Sequence, residues 1–179
     1  PTGQLPASDD PTLGNITFRE LVDVFTEQAQ GLVRGGCDLL IIETAQDILE
    51  VKAAIFGARE AFKLEGRKLP IQVSVSLLPQ GGKMLLGTDI NAVLTTLEAL
   101  KVDVIGLNCS TGPADMRDAI RFLGEHAPMP VHCIPNAGIP RQGPNGETIF
   151  PEEPGPLAET LGDFVDRYGV GIVGGCCGT

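Results

Sequence analysis

The sequence predicts an α/β fold with a parallel sheet, of the (β/α)8 barrel kind. Three observations carry that expectation. Short apolar runs alternate with stretches of helical periodicity through most of the 179 residues, the pattern of repeated β–α units. Polar or thiol-bearing residues directly follow four of the apolar runs, where a barrel gathers its functional groups beyond the C-terminal strand ends. An open doubly wound sheet would instead carry a Gly-rich phosphate turn after an early strand, and no G-x-G-x-x-G or Walker pattern occurs there. The Gly81-Gly82-Lys83 stretch lacks the rest of such a motif and reads as an ordinary loop.

The elements follow in order. Thr17 and Glu20 have the spacing of a capping box. Phe18, Leu21, Val22, Phe25, Ala29, Leu32 and Val33 then form a helical stripe that Gly35-Gly36 ends. DLLII (38–42) suits a strand buried on both faces. Ile48, Val51, Ile55, Ala58 and Phe62 mark a second helix, closed by Gly66, before the strand IQVSVSL (71–77). Ile90, Val93, Leu94, Leu97 and Leu100 give a third helix, and DVIGL (103–107) a strand. Pro113 fits the first turn of a helix carrying Met116, Ile120 and Leu123, followed by the strand PVHCI (130–134). Leu157, Leu161, Phe164, Val165 and Tyr168 make the last helix, closed by Gly169 and followed by VGIV (170–173). The count is five strands and five helices. The Pro- and Gly-rich stretch 135–156 falls on the functional face and is read as a lid or partner-docking loop, with plain disorder as the alternative.

Composition excludes several classes of function. The formal charge of -10 and an aromatic content of 4% leave no basic, aromatic-studded surface for nucleic acid, and none for an anionic membrane. No apolar run approaches the length of a membrane span, and PTGQLPASDD is not a secretory leader, so a soluble, cytoplasmic protein is expected. In that compartment the five cysteines stay reduced and do not form a disulfide framework. Metal binding, catalysis and core filling remain for them.

Cys176 and Cys177 are adjacent, between Gly174-Gly175 and Gly178. Neighbouring side chains in a strand point to opposite faces, so both thiols can meet one ion only at a turn. Flanking glycines permit the dihedral angles of such a turn. Two buried structural cysteines would not need those glycines, a vicinal disulfide would be strained, and redox pairs usually keep two residues between their cysteines. A catalytic Zn2+ site takes three protein ligands and an open position. Cys109, just after a strand and on the same face, is the natural third ligand. Cys37 precedes its strand and belongs to the opposite face, while Cys133 lies within a strand and reads as core. His126 and His132 read as structural, and the acids of GETIFPEEPG as a solvated loop.

DLLIIETAQDILEVKAAI, DVIGLNCSTGP, IPNAG and GGCCGT together resemble the homocysteine S-methyltransferase family, in particular the homocysteine-binding module of cobalamin-dependent methionine synthases. The resemblance spans nearly the whole chain. It implies a (β/α)8, or TIM, barrel in which Cys109, Cys176 and Cys177 hold Zn2+ and the homocysteine sulfur takes the fourth position. It implies that Glu43 holds the substrate amino group and that Asn108 and Asn136 lie at the substrate site. The implied activity is methyl transfer to the homocysteine thiol, giving methionine. Methylcobalamin and methyltetrahydrofolate would be supplied by folate and cobalamin domains of the same parent chain. S-methylmethionine or betaine as donor is the alternative within the class, and a non-catalytic zinc-binding α/β module the alternative outside it.

Against such a barrel, residues 1–179 correspond to a fragment of one homocysteine-binding domain: about the last five strands with four or five helices. The PTG start resembles a segment after an earlier strand, so the N-terminal units, an acidic residue at the end of the first strand and the final helix are expected to be missing. The fragment alone is expected to be inactive.

Overall fold

The computed structural model describes residues 16–179. The opening PTG and the comparison drawn from it lie outside that range. Helix α1 (Phe18–Arg34) starts at the expected capping box: the Glu20 carboxylate accepts from the Thr17 N–H at 2.8 Å, and the Thr17 hydroxyl accepts from the Glu20 N–H at 3.3 Å. It stops at Gly35, with Gly36 at a φ of 86°. Helix α2 (Ile48–Glu65) is capped by the Asp47 carboxylate and ended by a left-handed Gly66. Asp89 caps α3 (Ile90–Ala99), and α4 (Pro113–His126) opens on its proline, whose missing N–H costs nothing in a first turn. Helix α5 (Pro154–Tyr168) begins before the apolar stripe that starts at Leu157, because its two prolines are pre-set for a first turn.

The strands β1 (Leu40–Ala45), β2 (Ile71–Val75), β3 (Val104–Asn108), β4 (Val131–Ile134) and β7 (Ile172–Val173) form one parallel sheet in the order β1-β2-β3-β4-β7. The order advances with the chain and never reverses. Right-handed crossovers therefore lay the connecting helices on a single face. This is the alternation that the periodicity predicts, with one addition. The stretch 135–153 holds a small antiparallel hairpin of β5 (Arg141–Gln142) and β6 (Thr148–Ile149). Strand β1 also runs further than DLLII, taking in Glu43 and Thr44 and bulging before Ala45.

The two sheet faces differ in chemistry. Leu40, Val73, Val75, Ile105, Leu107, Val131 and Cys133 join Ile55, Leu97, Ile120, Leu123 and Phe164 in the main core. Complete burial of one such aliphatic side chain contributes about 1.5–3 kcal/mol. On the opposite face, Ser74, Gly106 and His132 are register partners across three strands. Ser74 and His132 are fully buried there. The imidazole lies directly over Gly106, where an added Cβ would come within 2.6 Å of its Cγ. At the sheet's outer strands, Ile41, Ile172 and Val173 are exposed.

Candidate metal centre

Two loops beyond the strand ends carry the thiols. After β3 the chain turns through Cys109 (φ 61°) and Ser110 (φ 66°), both in the left-handed region. Each such non-glycine residue costs on the order of 1–3 kcal/mol and persists only where its surroundings hold it. The Cys109 N–H donates to the Ile134 carbonyl at 3.2 Å, and the Thr111 N–H donates back to the Cys109 carbonyl at 2.7 Å. After β7, the Cys176 N–H donates to the Pro135 carbonyl at 2.8 Å and the Ala137 N–H to the Cys177 carbonyl at 3.0 Å. The Cys177 N–H donates to Asn136 Oδ1 at 3.0 Å. The Pro135-Asn136-Ala137 segment thus forms a template that fixes both adjacent cysteines.

The glycines act differently from the sequence expectation. Only Gly178 adopts a left-handed φ, 84°, while Gly174 and Gly175 do not. Gly175 is needed for space instead, since a Cβ there would collide with the Thr179 side chain, and one at Gly178 would collide with the Phe150 ring. The left-handed bend that aims the third thiol is made by Cys109 and Ser110 themselves.

The sulfurs converge. Cys109 Sγ and Cys176 Sγ each lie 3.9 Å from Cys177 Sγ, and all three fall within 4.8 Å of one another. A tetrahedral ion with metal–sulfur distances of 2.3 Å has sulfur–sulfur edges of about 3.8 Å. The donor set and spacing fit Zn2+. Among the described residues the cluster has no fourth His, Cys, Asp or Glu donor, and Cys177 is exposed to an incoming ligand. Hydrogen bonding from Cys176 and then Cys109, with the charge of Cys109 beside it, pushes the Cys177 thiol up to about 11. Thiols this crowded resist ionising unless a cation sits among them.

Cys133 is buried against Met116, 3.9 Å between sulfurs, and burial pushes its thiol up to about 12; it is a core residue, as expected. Cys37 packs on the core at the other end of β1. His126 is stacked on Phe122, away from the thiols. Glu43 is exposed beside Thr44. It lines a cavity of about 310 Å3 with Phe25, Gln28 and Ile41, to which no cysteine contributes.

Asn108 and Asn136 are both buried. The Asn108 side-chain oxygen accepts from the Thr44 N–H at 2.9 Å and the Ser74 hydroxyl at 2.6 Å. Its amide nitrogen donates to Thr44 Oγ1 at 2.7 Å and lies 3.8 Å from Cys176 Sγ. This clamp holds Thr44 at a φ of 54°, an outlying conformation for a β-branched residue. His132 is buried and structural, as its sequence position suggests, but sequence reasoning missed Ser74 and the bonds that join it to His132 and Asn108. A signal existed: in IQVSVSL the polar residues alternate, which puts Gln72, Ser74 and Ser76 on one face.

Among the described residues no helix is long and apolar enough to cross a membrane. The homocysteine S-methyltransferase family model matches residues 1–179. The chain is 46% identical over 174 residues to a methionine synthase of Mycobacterium leprae (strain TN) and 45% identical to that of Mycobacterium tuberculosis (strain ATCC 25618 / H37Rv). Each alignment covers 97% of this chain but 14% of the relative, so the chain spans about a seventh of the length of those relatives. The metallated crystal structure of the Escherichia coli homocysteine methyltransferase MmuM superposes with a TM-score of 0.65 at 23% identity, covering 88% of this chain and 48% of that one. Its apo form gives 0.64 at 23% identity, with 88% and 52% covered. These likenesses establish a shared fold.

Proposed function

The chain belongs to the homocysteine S-methyltransferase family, and from that premise we propose that it forms the thiol-activating part of an enzyme that methylates homocysteine to methionine. The observation that carries the proposal is the convergence of Cys109, Cys176 and Cys177 without a fourth protein donor among the described residues. Three thiolates and an open position are the arrangement of a catalytic zinc site; a structural site is closed by four ligands.

In this reading the three cysteines hold Zn2+. The ion supplies the charge that keeps the substrate thiol ionised at neutral pH, where a free thiol of pKa about 8.5 is mostly protonated. The chain's own residues do the rest. The Pro135-Asn136-Ala137 template and the left-handed turn at Cys109 keep the sulfurs facing one point. The exposed Glu43 carboxylate pairs with the homocysteine ammonium. Asn108 and Asn136 border the substrate, but their side-chain oxygens are engaged by Thr44, Ser74 and Cys177. Their larger part is therefore to hold the thiols in place. Methylcobalamin, with methyltetrahydrofolate as the source of its methyl group, would supply the methyl from other domains of the same parent chain. Identity of 45–46% to two methionine synthases supports methionine as the product. A cytoplasmic setting, where thiols stay reduced, suits three free cysteines at one site.

The one-way strand order supports the further proposal that residues 1–179 are part of one homocysteine-binding (β/α)8 barrel domain. The test of the site is zinc X-ray absorption on the intact, zinc-loaded protein before and after adding L-homocysteine. The expected result is a rise from three to four sulfur ligands. A sulfur count that is already four, or that homocysteine leaves unchanged, would overturn the reading.

A further inference from the structure

A line of buried polar groups runs from the interior of the sheet to the thiol cluster, and each proton on it can be assigned. The Thr44 N–H is only a donor, so the Asn108 atom 2.9 Å from it is the amide oxygen, and the NH2 group must face Thr44 Oγ1 and Cys176 Sγ. That oxygen can only accept, so the Ser74 hydroxyl, 2.6 Å away, spends its single proton on it. Ser74 Oγ is then an acceptor towards His132 Nε2 at 2.8 Å, and the imidazole carries its proton on Nε2. His132 Nδ1 has no hydrogen-bond partner among the described residues. The imidazole is neutral, and Gly106 leaves it the space to reach Ser74.

We propose that Ser74 and His132 are positioning residues for the metal centre: the chain His132 → Ser74 → Asn108 fixes the Asn108 amide so that its N–H donates to Cys176 Sγ. The direction of every bond follows from the one fixed donor, the Thr44 backbone. The histidine terminates the chain with a donor that cannot turn round, because its second nitrogen finds no partner to exchange with. Without it, Ser74 can reverse its hydroxyl, and Asn108 loses one of the two donors that hold its oxygen in place. A hydrogen bond to a thiolate ligand draws electron density from the sulfur, so the relay tunes how much charge Cys176 gives to a bound ion. This rests on the three-cysteine reading of the site and adds residues on β2 and β4 that do not touch the ion.

The test is made on the intact protein loaded with Co2+, whose sulfur-to-metal charge-transfer band reports the thiolate donors directly. Ser74→Ala and His132→Leu are expected to move that band to lower energy and to weaken Co2+ binding about tenfold, the lower end of the effect of a group that orients a metal ligand. His132→Gln, which keeps an N–H where Nε2 stood, is expected to restore both. A Ser74→Ala protein with the wild-type band and affinity overturns the relay. So does equal behaviour of His132→Leu and His132→Gln, since loss of packing alone would account for it. If Cys109→Ala with Cys176→Ala leaves the cobalt band intact, the three-cysteine reading has failed, an outcome separable from failure of the relay.

Discussion

Among the described residues, three of the four non-glycine residues with positive φ, Thr44, Cys109 and Ser110, stand at or beside the thiol cluster. Strain of this kind is held by surrounding bonds, here the Asn108 clamp on Thr44 and the backbone bonds at Cys109. Individual cysteines accordingly differ in what their removal does. Cys109→Ala or Cys176→Ala is expected to abolish stoichiometric zinc binding, measured by metal analysis after dialysis. Cys133→Ala is expected to keep zinc bound and to cost about 1 kcal/mol in a urea melt, from the small cavity it leaves beside Met116. Loss of zinc in Cys133→Ala would contradict the assignment. The trio was legible from sequence because position relative to a strand end decides which face a residue serves. The bonds that join Ser74 to His132 and Asn108 were not, because they depend on partners across the sheet.

At the scale of elements, α1 and α2 cross closely at Gly57. A Cβ on Gly57 would lie 2.7 Å from Phe25 Cβ and 2.9 Å from both the Thr26 nitrogen and the Val22 oxygen. Gly57→Ala gains about 1 kcal/mol of helix propensity. Overpacking against backbone costs about 1–3 kcal/mol. The clash involves main-chain atoms that cannot rotate away, so net destabilisation is expected, read as a lower urea midpoint with unchanged helical circular dichroism. A raised midpoint would show that α1 can shift freely. Helix boundaries were legible in the capping box, the entry prolines and the closing glycines, which act locally. The β5–β6 hairpin was not, because strands of two residues carry no period.

Across the whole molecule, the polar sheet face makes stability depend on pH. His132 has no solvent exposure, and desolvation lowers its pKa from 6.5 to about 4. Between those values the unfolded chain binds the proton and the folded one does not. The contribution is therefore complete above pH 6.5 and is lost as pH falls towards 4. It amounts to about 2 kcal/mol between pH 7 and pH 5. Urea melts at the two pH values should show that loss in the wild type and a loss smaller by about this amount in His132→Gln, which does not titrate; equal losses would place His132 in contact with solvent. The sequence by itself determined the alternation of strands and helices and the thiols that follow the strand ends, since periodicity, caps and turn residues act within a few positions. Tertiary structure alone decided the left-handed turn that aims Cys109, the template of residues 135–137 beneath Cys176 and Cys177, and the buried line from His132 to Asn108. Each of these joins segments tens of residues apart, and only closure of the sheet brings their donors and acceptors within bonding distance.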